Sequence, residues 1–162
     1  MKALSIPARP MFALLGVGCL LLVGAGLVLQ SIYRLQPCPL CIFQRLLYIV
    51  IGVIGLAAWC LPKAQKIWAS VIGAVAALGA GVAAYQTWMQ AYPELAPECS
   101  FTDPNLIERL VDWLGMQWPA MFMATGFCTS RDWVFLGLSM ANWSLLVFAA
   151  VLGVALWLLR QR

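Results

Sequence analysis

The chain contains no histidine. That removes the side chain most often used as a general base and metal ligand near neutral pH. Charge is also scarce: 10% of the 162 residues are Asp, Glu, Lys or Arg, where a soluble domain carries roughly 25%. With 64% hydrophobic residues, this excludes an ordinary water-soluble globular domain. Any catalysis must run on cysteine, arginine, carboxylates or a bound cofactor. The net charge of +4 is spread over short segments between apolar runs, so no nucleic-acid partner is expected.

The apolar runs are long. Four of them, at about 11–33, 42–61, 67–86 and 143–159, match the ~20 residues needed to cross the hydrocarbon core. The first is longer than the apolar region of a cleaved signal peptide, about 7–15 residues, and is expected to be retained as a span. The third is rich in small residues, including Gly73, Ala76, Gly79 and Ala83. Small residues let helix backbones approach closely in lipid, which predicts an interior position for that helix. The fold class expected is an all-α membrane protein, a single domain over 1–162 built as a bundle of four transmembrane helices. Polar loops fall at about 34–41 and 87–142. Lys2, Arg9, Lys63, Lys66, Arg160 and Arg162 lie on one side of these spans, and all six acids lie on the other. The positive-inside rule then puts both termini in the cytoplasm and both polar loops outside.

Within the second loop, Asp103-Pro104 reads as an N-cap followed by proline at the first helical position. Leu106, Ile107, Leu110, Val111 and Leu114 share one face, and Gly115 is placed to stop the helix. A short amphipathic helix follows, lying on the membrane or packed on the top of the bundle.

The chemistry concentrates at Cys38-Pro39-Leu40-Cys41. A CxxC pair can form a reversible disulfide. The second span opens immediately after it, so Cys41 falls at or beside a helix N-terminus, where unpaired N–H groups and the helix dipole favour a thiolate. Arg45 lies one turn on, on the same face. An arginine inside a span is a functional-site candidate by default, and it could stabilise an anionic oxygen on a bound quinone. Gln44 and Gln86 are polar groups near the ends of spans two and three. Either could hydrogen-bond a carbonyl, but helix-end solvation is the simpler reading for both.

Cys99 and Cys128 form a second pair within the long loop. Spacing alone reads them as a loop staple; the CxxC pair on the same outer face adds the reading that the two pairs hand electrons along by thiol–disulfide exchange. Cys19 and Cys60 read as small apolar core residues.

This arrangement resembles the disulfide bond formation protein B (DsbB) family of bacterial inner membranes. The resemblance rests on Cys38-Pro39-Leu40-Cys41-Ile42-Phe43-Gln44-Arg45 opening the second span. It is extended by Ala91-Tyr92-Pro93 ahead of Glu98-Cys99, by Ala124-Thr125-Gly126-Phe127-Cys128, and by the stretch from Trp133 to Leu138. The chain differs from some members in having Gln44 where they carry an acid, and Gln86 about where they carry a histidine. The resemblance implies a membrane thiol:quinone oxidoreductase that reoxidises a periplasmic DsbA-like thioredoxin-fold oxidant. By the same resemblance, Cys99 forms the mixed disulfide with that partner and Cys128 is its mate. Electrons pass to Cys38–Cys41, and Cys41, beside Arg45, contacts ubiquinone or, alternatively, menaquinone. The quinol then rejoins the quinone pool of the membrane lipid. Two other readings stay open at the level of sequence: a Cys₄ metal site, and a structural protein with inert disulfides. A vitamin K epoxide reductase-like arrangement fits less well, because the second cysteine pair here lies in a single loop. No resident metal is expected.

Overall fold

The computed structural model describes residues 8–61, 63–95 and 105–161. Its elements are α1 (Ala8–Tyr33), α2 (Pro39–Cys60), α3 (Gln65–Ala91), α4 (Leu106–Gln117), α5 (Pro119–Phe122), β1 (Val134–Phe135), β2 (Leu138–Ser139) and α6 (Met140–Arg160). Helices α1, α2, α3 and α6 are each long and apolar enough to cross a membrane. The shortest, α6, has 21 residues and spans about 32 Å at the helical rise, matching a hydrocarbon core of ~30 Å. The protein is an all-α bundle of four membrane-spanning helices.

The spans run longer than the apolar stretches alone suggest, because their polar ends are also helical. Helix α2 starts at Pro39, a residue preorganised for the first helical position. Helix α3 continues to Ala91, ending just before the Tyr92-Pro93 pair, where proline disfavours helix in the residue ahead of it. Helix α6 starts at Met140, capped by the Ser139 hydroxyl, which accepts from the Asn142 N–H.

The bundle is built as two helical hairpins. Helix α1 packs along α2, α3 packs along α6, and α2 joins the hairpins by contacting α3. On α3, Gly73, Ala76, Gly79 and Ala83 are buried, whereas Ala74, Ala77, Gly81 and Ala84 face outward. The expectation of an interior third helix is therefore corrected. Its small residues form one close seam with α6, and α2 holds the more central place. At Gly79 the approach is tight enough that a Cβ would overlap the Phe148 ring. Phe148 in turn stacks on Tyr48 of α2, with ring centroids 4.3 Å apart. The two hairpins thus meet through an aromatic pair seated on a glycine.

Helix α4 forms as expected but with different ends. Asp103-Pro104 lies outside the described residues, and the cap is Asn105. Its side chain accepts from the N–H groups of Ile107 and Glu108, while the Glu108 carboxylate accepts from the Asn105 N–H at 2.8 Å. This reciprocal pairing satisfies donors at both ends of the turn. Gly115 does not stop the helix, which runs to Gln117 and ends ahead of Pro119. Val111 and Leu114 are buried and α4 packs on α2, while Leu106 and Leu110 are exposed. The apolar face is narrower than the sequence pattern implied. Cys19 is buried in the core, but Cys60 is exposed, so only the first of these two is a core residue.

The loop after α5 leads into a two-residue hairpin, β1 pairing antiparallel with β2. Leu136 and Gly137 both have positive φ, 53° and 79°, as a type I′ turn requires.

Candidate redox site

The site lies at the end of the bundle opposite residues Ala8 and Arg160, where α2 begins. Helix α1 closes with Arg34 in the left-handed conformation, φ 52°, and the Leu35 N–H reaching back to the Gln30 carbonyl at 3.1 Å. This is the six-to-one closure of a Schellman-type end, and it turns the chain sharply into the CxxC. Cys38 is the N-cap of α2. Its sulfur accepts from the Cys41 backbone N–H at 3.3 Å, filling the role that a serine or aspartate oxygen usually plays. Pro39 takes the first helical position, and Cys41 lies in the first turn.

The two sulfurs are 2.9 Å apart, with the Cys38 thiol donating to Cys41. Gln86, reaching across from α3, donates from Nε2 to Cys41 Sγ at 3.0 Å and to Cys38 Sγ at 3.3 Å. Its carbonyl accepts from Gln44 Nε2 at 2.8 Å. Both glutamines are buried. Gln86 thus reaches both sulfurs directly and Gln44 reaches them through Gln86, so neither is merely a solvated helix-end group.

Cys128 comes from the long loop and is buried against Cys38, together with Leu40 and Met89. Hydrogen bonding to Cys128, then to Cys41, together with burial, holds the Cys38 thiol well above the ordinary thiol range. Cys38 is thereby kept as a neutral S–H donor toward Cys41. The loop carrying Cys128 is tied to the CxxC loop through the backbone: Thr125 and Gly126 both donate N–H to the Pro37 carbonyl, at 2.9 and 3.1 Å. A Cβ at Gly126 would collide with the Gln36 carbonyl, so only glycine permits this approach. Cys99 lies outside the described residues.

Arg45 sits one turn into α2. Its guanidinium donates to the Met121 carbonyl of α5 at 2.5 Å and to Gln30 Oε1 of α1 at 2.8 Å. Two elements outside α2 therefore fix the direction of this cation. Gln30 was not singled out by sequence. The available signal was a carboxamide within an apolar run, a group that in lipid needs a partner.

A cavity of about 320 Å³ opens beside Cys38 and Cys41. Leu22, Gly26 and Leu29 of α1 and Val147 of α6 line its apolar part, and Gln44, Arg45 and Tyr48 of α2 line the more polar part. Its size falls within the range of small-molecule sites, roughly 300–1,000 Å³. It is an apolar slot with a fixed cation and two carboxamides at one end, and Arg45, Gln44 and Gln86 are the side chains there that could hold the oxygens of a bound carbonyl compound.

A family model described as "Disulfide bond formation protein DsbB" matches residues 8–158. The chain is 63% identical over 153 residues to disulfide bond formation protein B of Dechloromonas aromatica, covering 94% of this chain and 93% of that one. It is 42% identical over 166 residues to the protein of the same name from an Azoarcus species, covering 100% and 98%. It is 38% identical over 157 residues to that of Nitrosomonas eutropha, covering 92% and 94%. Three cysteines, Cys38 and Cys128 buried and Cys41 half-buried, gather at the head of a four-span bundle, and the chain belongs to the DsbB family of disulfide bond formation proteins.

Proposed function

We propose that the protein is a quinone-coupled thiol oxidase of the bacterial inner membrane that reoxidises a periplasmic DsbA-type dithiol partner. The observation that carries this reading is Cys128 lying against Cys38 while Cys38 lies against Cys41. Three sulfurs in sequence make a relay for disulfide exchange. Orientation is part of the proposal. Among the described residues, Arg9, Lys63, Lys66 and Arg160 sit toward one end of the bundle, and the acids sit toward the site end. This distribution supports a cytoplasmic face at the termini and a periplasmic face at the cysteines.

The exchanges run as follows. A partner thiolate attacks Cys99 of a Cys99–Cys128 disulfide, forms a mixed disulfide and releases the Cys128 thiolate. Cys128 attacks Cys38 Sγ. The Cys38–Cys128 bond forms, the Cys38–Cys41 bond breaks, and the electron pair leaves on Cys41. The partner's second thiol then displaces Cys99, which recovers Cys128 and leaves Cys38 and Cys41 reduced. Cys41 lies under the N–H groups opening α2 and beside the Gln86 amide, both of which favour its anionic form. The protonated Cys38 thiol donates to that sulfur. Arg45, locked by Met121 and Gln30, supplies a positive charge one turn below. A bound quinone, ubiquinone or menaquinone, supplies a two-electron, two-proton acceptor that lets the Cys38–Cys41 disulfide re-form.

The test is quinone reduction by a reduced DsbA-type protein, followed by quinone absorbance in reconstituted protein. Cys38→Ser, Cys41→Ser and Cys128→Ser should each abolish it. Cys128→Ser should still pass electrons from a small dithiol acting directly on Cys38–Cys41. Quinone-dependent oxidation that survives Cys38→Ser would refute the relay. Stoichiometric zinc in purified protein would point instead to a metal site.

A further inference from the structure

Cys128 sits in a stretch with little regular structure of its own, between Gly126 and Ser130. Something outside the stretch must hold its sulfur against Cys38. On the N-terminal side that is the Pro37 carbonyl, bonded to Thr125 and Gly126. On the C-terminal side three hydrogen bonds converge on one residue, Gln90, in the last turn of α3. Its Nε2 donates to the Ser130 carbonyl at 3.0 Å. Its Oε1 accepts from the Ser139 hydroxyl at 2.6 Å. Its backbone carbonyl accepts from Arg131 Nη2 at 2.6 Å. Gln90 is itself buried, and Ser139 is fixed as the cap of α6.

We propose that Gln90 is a positioning residue for disulfide exchange, latching the Cys128 loop to α3 so that Cys128 is held on Cys38. The inference rests on the relay described above. Gln90 lies one helical turn beyond Gln86 on the same face of α3. One face of one helix therefore serves both halves of the relay: Gln86 holds the CxxC sulfurs, and Gln90 holds the loop that delivers the third. A carboxamide suits the place because it donates to a carbonyl and accepts from a hydroxyl at once. Neither an acid nor an apolar residue makes both bonds at neutral pH.

The exchange that depends on the latch is the attack of Cys128 on Cys38 with Cys41 as leaving group. It changes no overall oxidation state, so it can be measured as an equilibrium. In full-length protein carrying Cys41→Ser and Cys99→Ser, the Cys38–Cys128 disulfide is titrated against glutathione, which reports the effective concentration of one thiol at the other. In protein carrying Cys99→Ser and Cys128→Ser, the same titration reports the Cys38–Cys41 pair.

Gln90→Met keeps the length and apolar bulk while removing both bonds. It should lower the effective concentration of the Cys38–Cys128 pair by roughly tenfold or more, in keeping with the cost of ångström-scale misplacement. The Cys38–Cys41 pair should change less than about twofold, since its geometry is set within one turn of α2. Arg131→Ala, which removes only the bond to the Gln90 carbonyl, should shift the first pair in the same direction by less. If Gln90→Met lowers both pairs equally, Gln90 is only a structural residue and the inference fails. If it lowers neither, the latch is elsewhere and the inference fails. If the Cys38–Cys128 disulfide never forms, even with Gln90 in place, the relay itself is wrong and the latch falls with it.

Discussion

Gln86 donates one amide hydrogen bond from α3 to Cys41 Sγ at 3.0 Å, across the seam between α2 and α3. It reaches both sulfurs of the CxxC pair from a second helix, and its own carbonyl is held by Gln44. A hydrogen bond to a charged acceptor contributes about 1.5–3 kcal/mol. Gln86→Leu should therefore slow quinone reduction about ten- to a hundredfold when a small dithiol is the electron source. Stopped-flow quinone absorbance reads this directly. An unchanged rate would mean that the α2 N-terminus alone supports the Cys41 thiolate.

Gln30 should matter through Arg45. Removing its carboxamide with Gln30→Leu leaves, among the described residues, the Met121 carbonyl as the guanidinium's anchor. A cation free to swing still carries its charge but no longer aims it. The KM for quinone should rise about five- to tenfold, the size of one ordinary hydrogen bond because the charge itself stays in place, with a smaller change in kcat. A fall in kcat at constant KM would show that Arg45 is oriented by something else.

The glycine seat beneath Phe148 should be sensitive to a single methyl group. Gly79→Ala puts a Cβ into the Phe148 ring, and overpacking of this kind costs about 1–3 kcal/mol. Thermal unfolding in detergent should show a lower midpoint. Phe148→Leu in the same chain should recover part of the loss, because the two changes share one space. Additive losses would mean that the two positions do not share one space.

The raised Cys38 thiol makes the reduced protein sensitive to alkali. A folded-state value above the unfolded one means the folded chain holds that proton more tightly. The stabilisation is present in full below the ordinary thiol value, about 8.5, and is lost as pH climbs from there through the folded value. Reduced protein should lose midpoint temperature over that window. Cys38→Ser should flatten the loss, and the Cys38–Cys41 disulfide form should show little of it. A loss of equal size in Cys38→Ser would assign it to another group.

The spans were legible in sequence because lipid imposes one rule on every residue of a crossing helix. The local part of the site was legible too. Cys38, Cys41 and Arg45 lie within two turns, and helical spacing alone puts Cys41 and Arg45 on one face. The contact between Gln86 and the sulfurs was not legible, because it depends on how closely α2 and α3 pack. Arg45's partners likewise come from α1 and α5, which no local pattern links to it. At α4 the sequence carries more than one local signal. Asn105-x-x-Glu108 is the capping box that opens the helix. Gly115 carries a stop signal, but the helix runs on to Gln117 and ends ahead of Pro119. The hairpin at Leu136-Gly137 carried a weak signal, since leucine seldom takes a positive φ.

The sulfur that caps α2 is also the sulfur that reacts. A serine in that place would be a passive lid on the helix, indifferent to electron flow. With Cys38 there, every change of bonding at Sγ also changes the acceptor offered to the Cys41 amide proton. The oxidation state of the site is thus written into the backbone of its own helix, at the first amides of α2. Hydrogen exchange or amide chemical shift at Cys41 becomes a spectator that reports turnover without a dye, a partner or an added label.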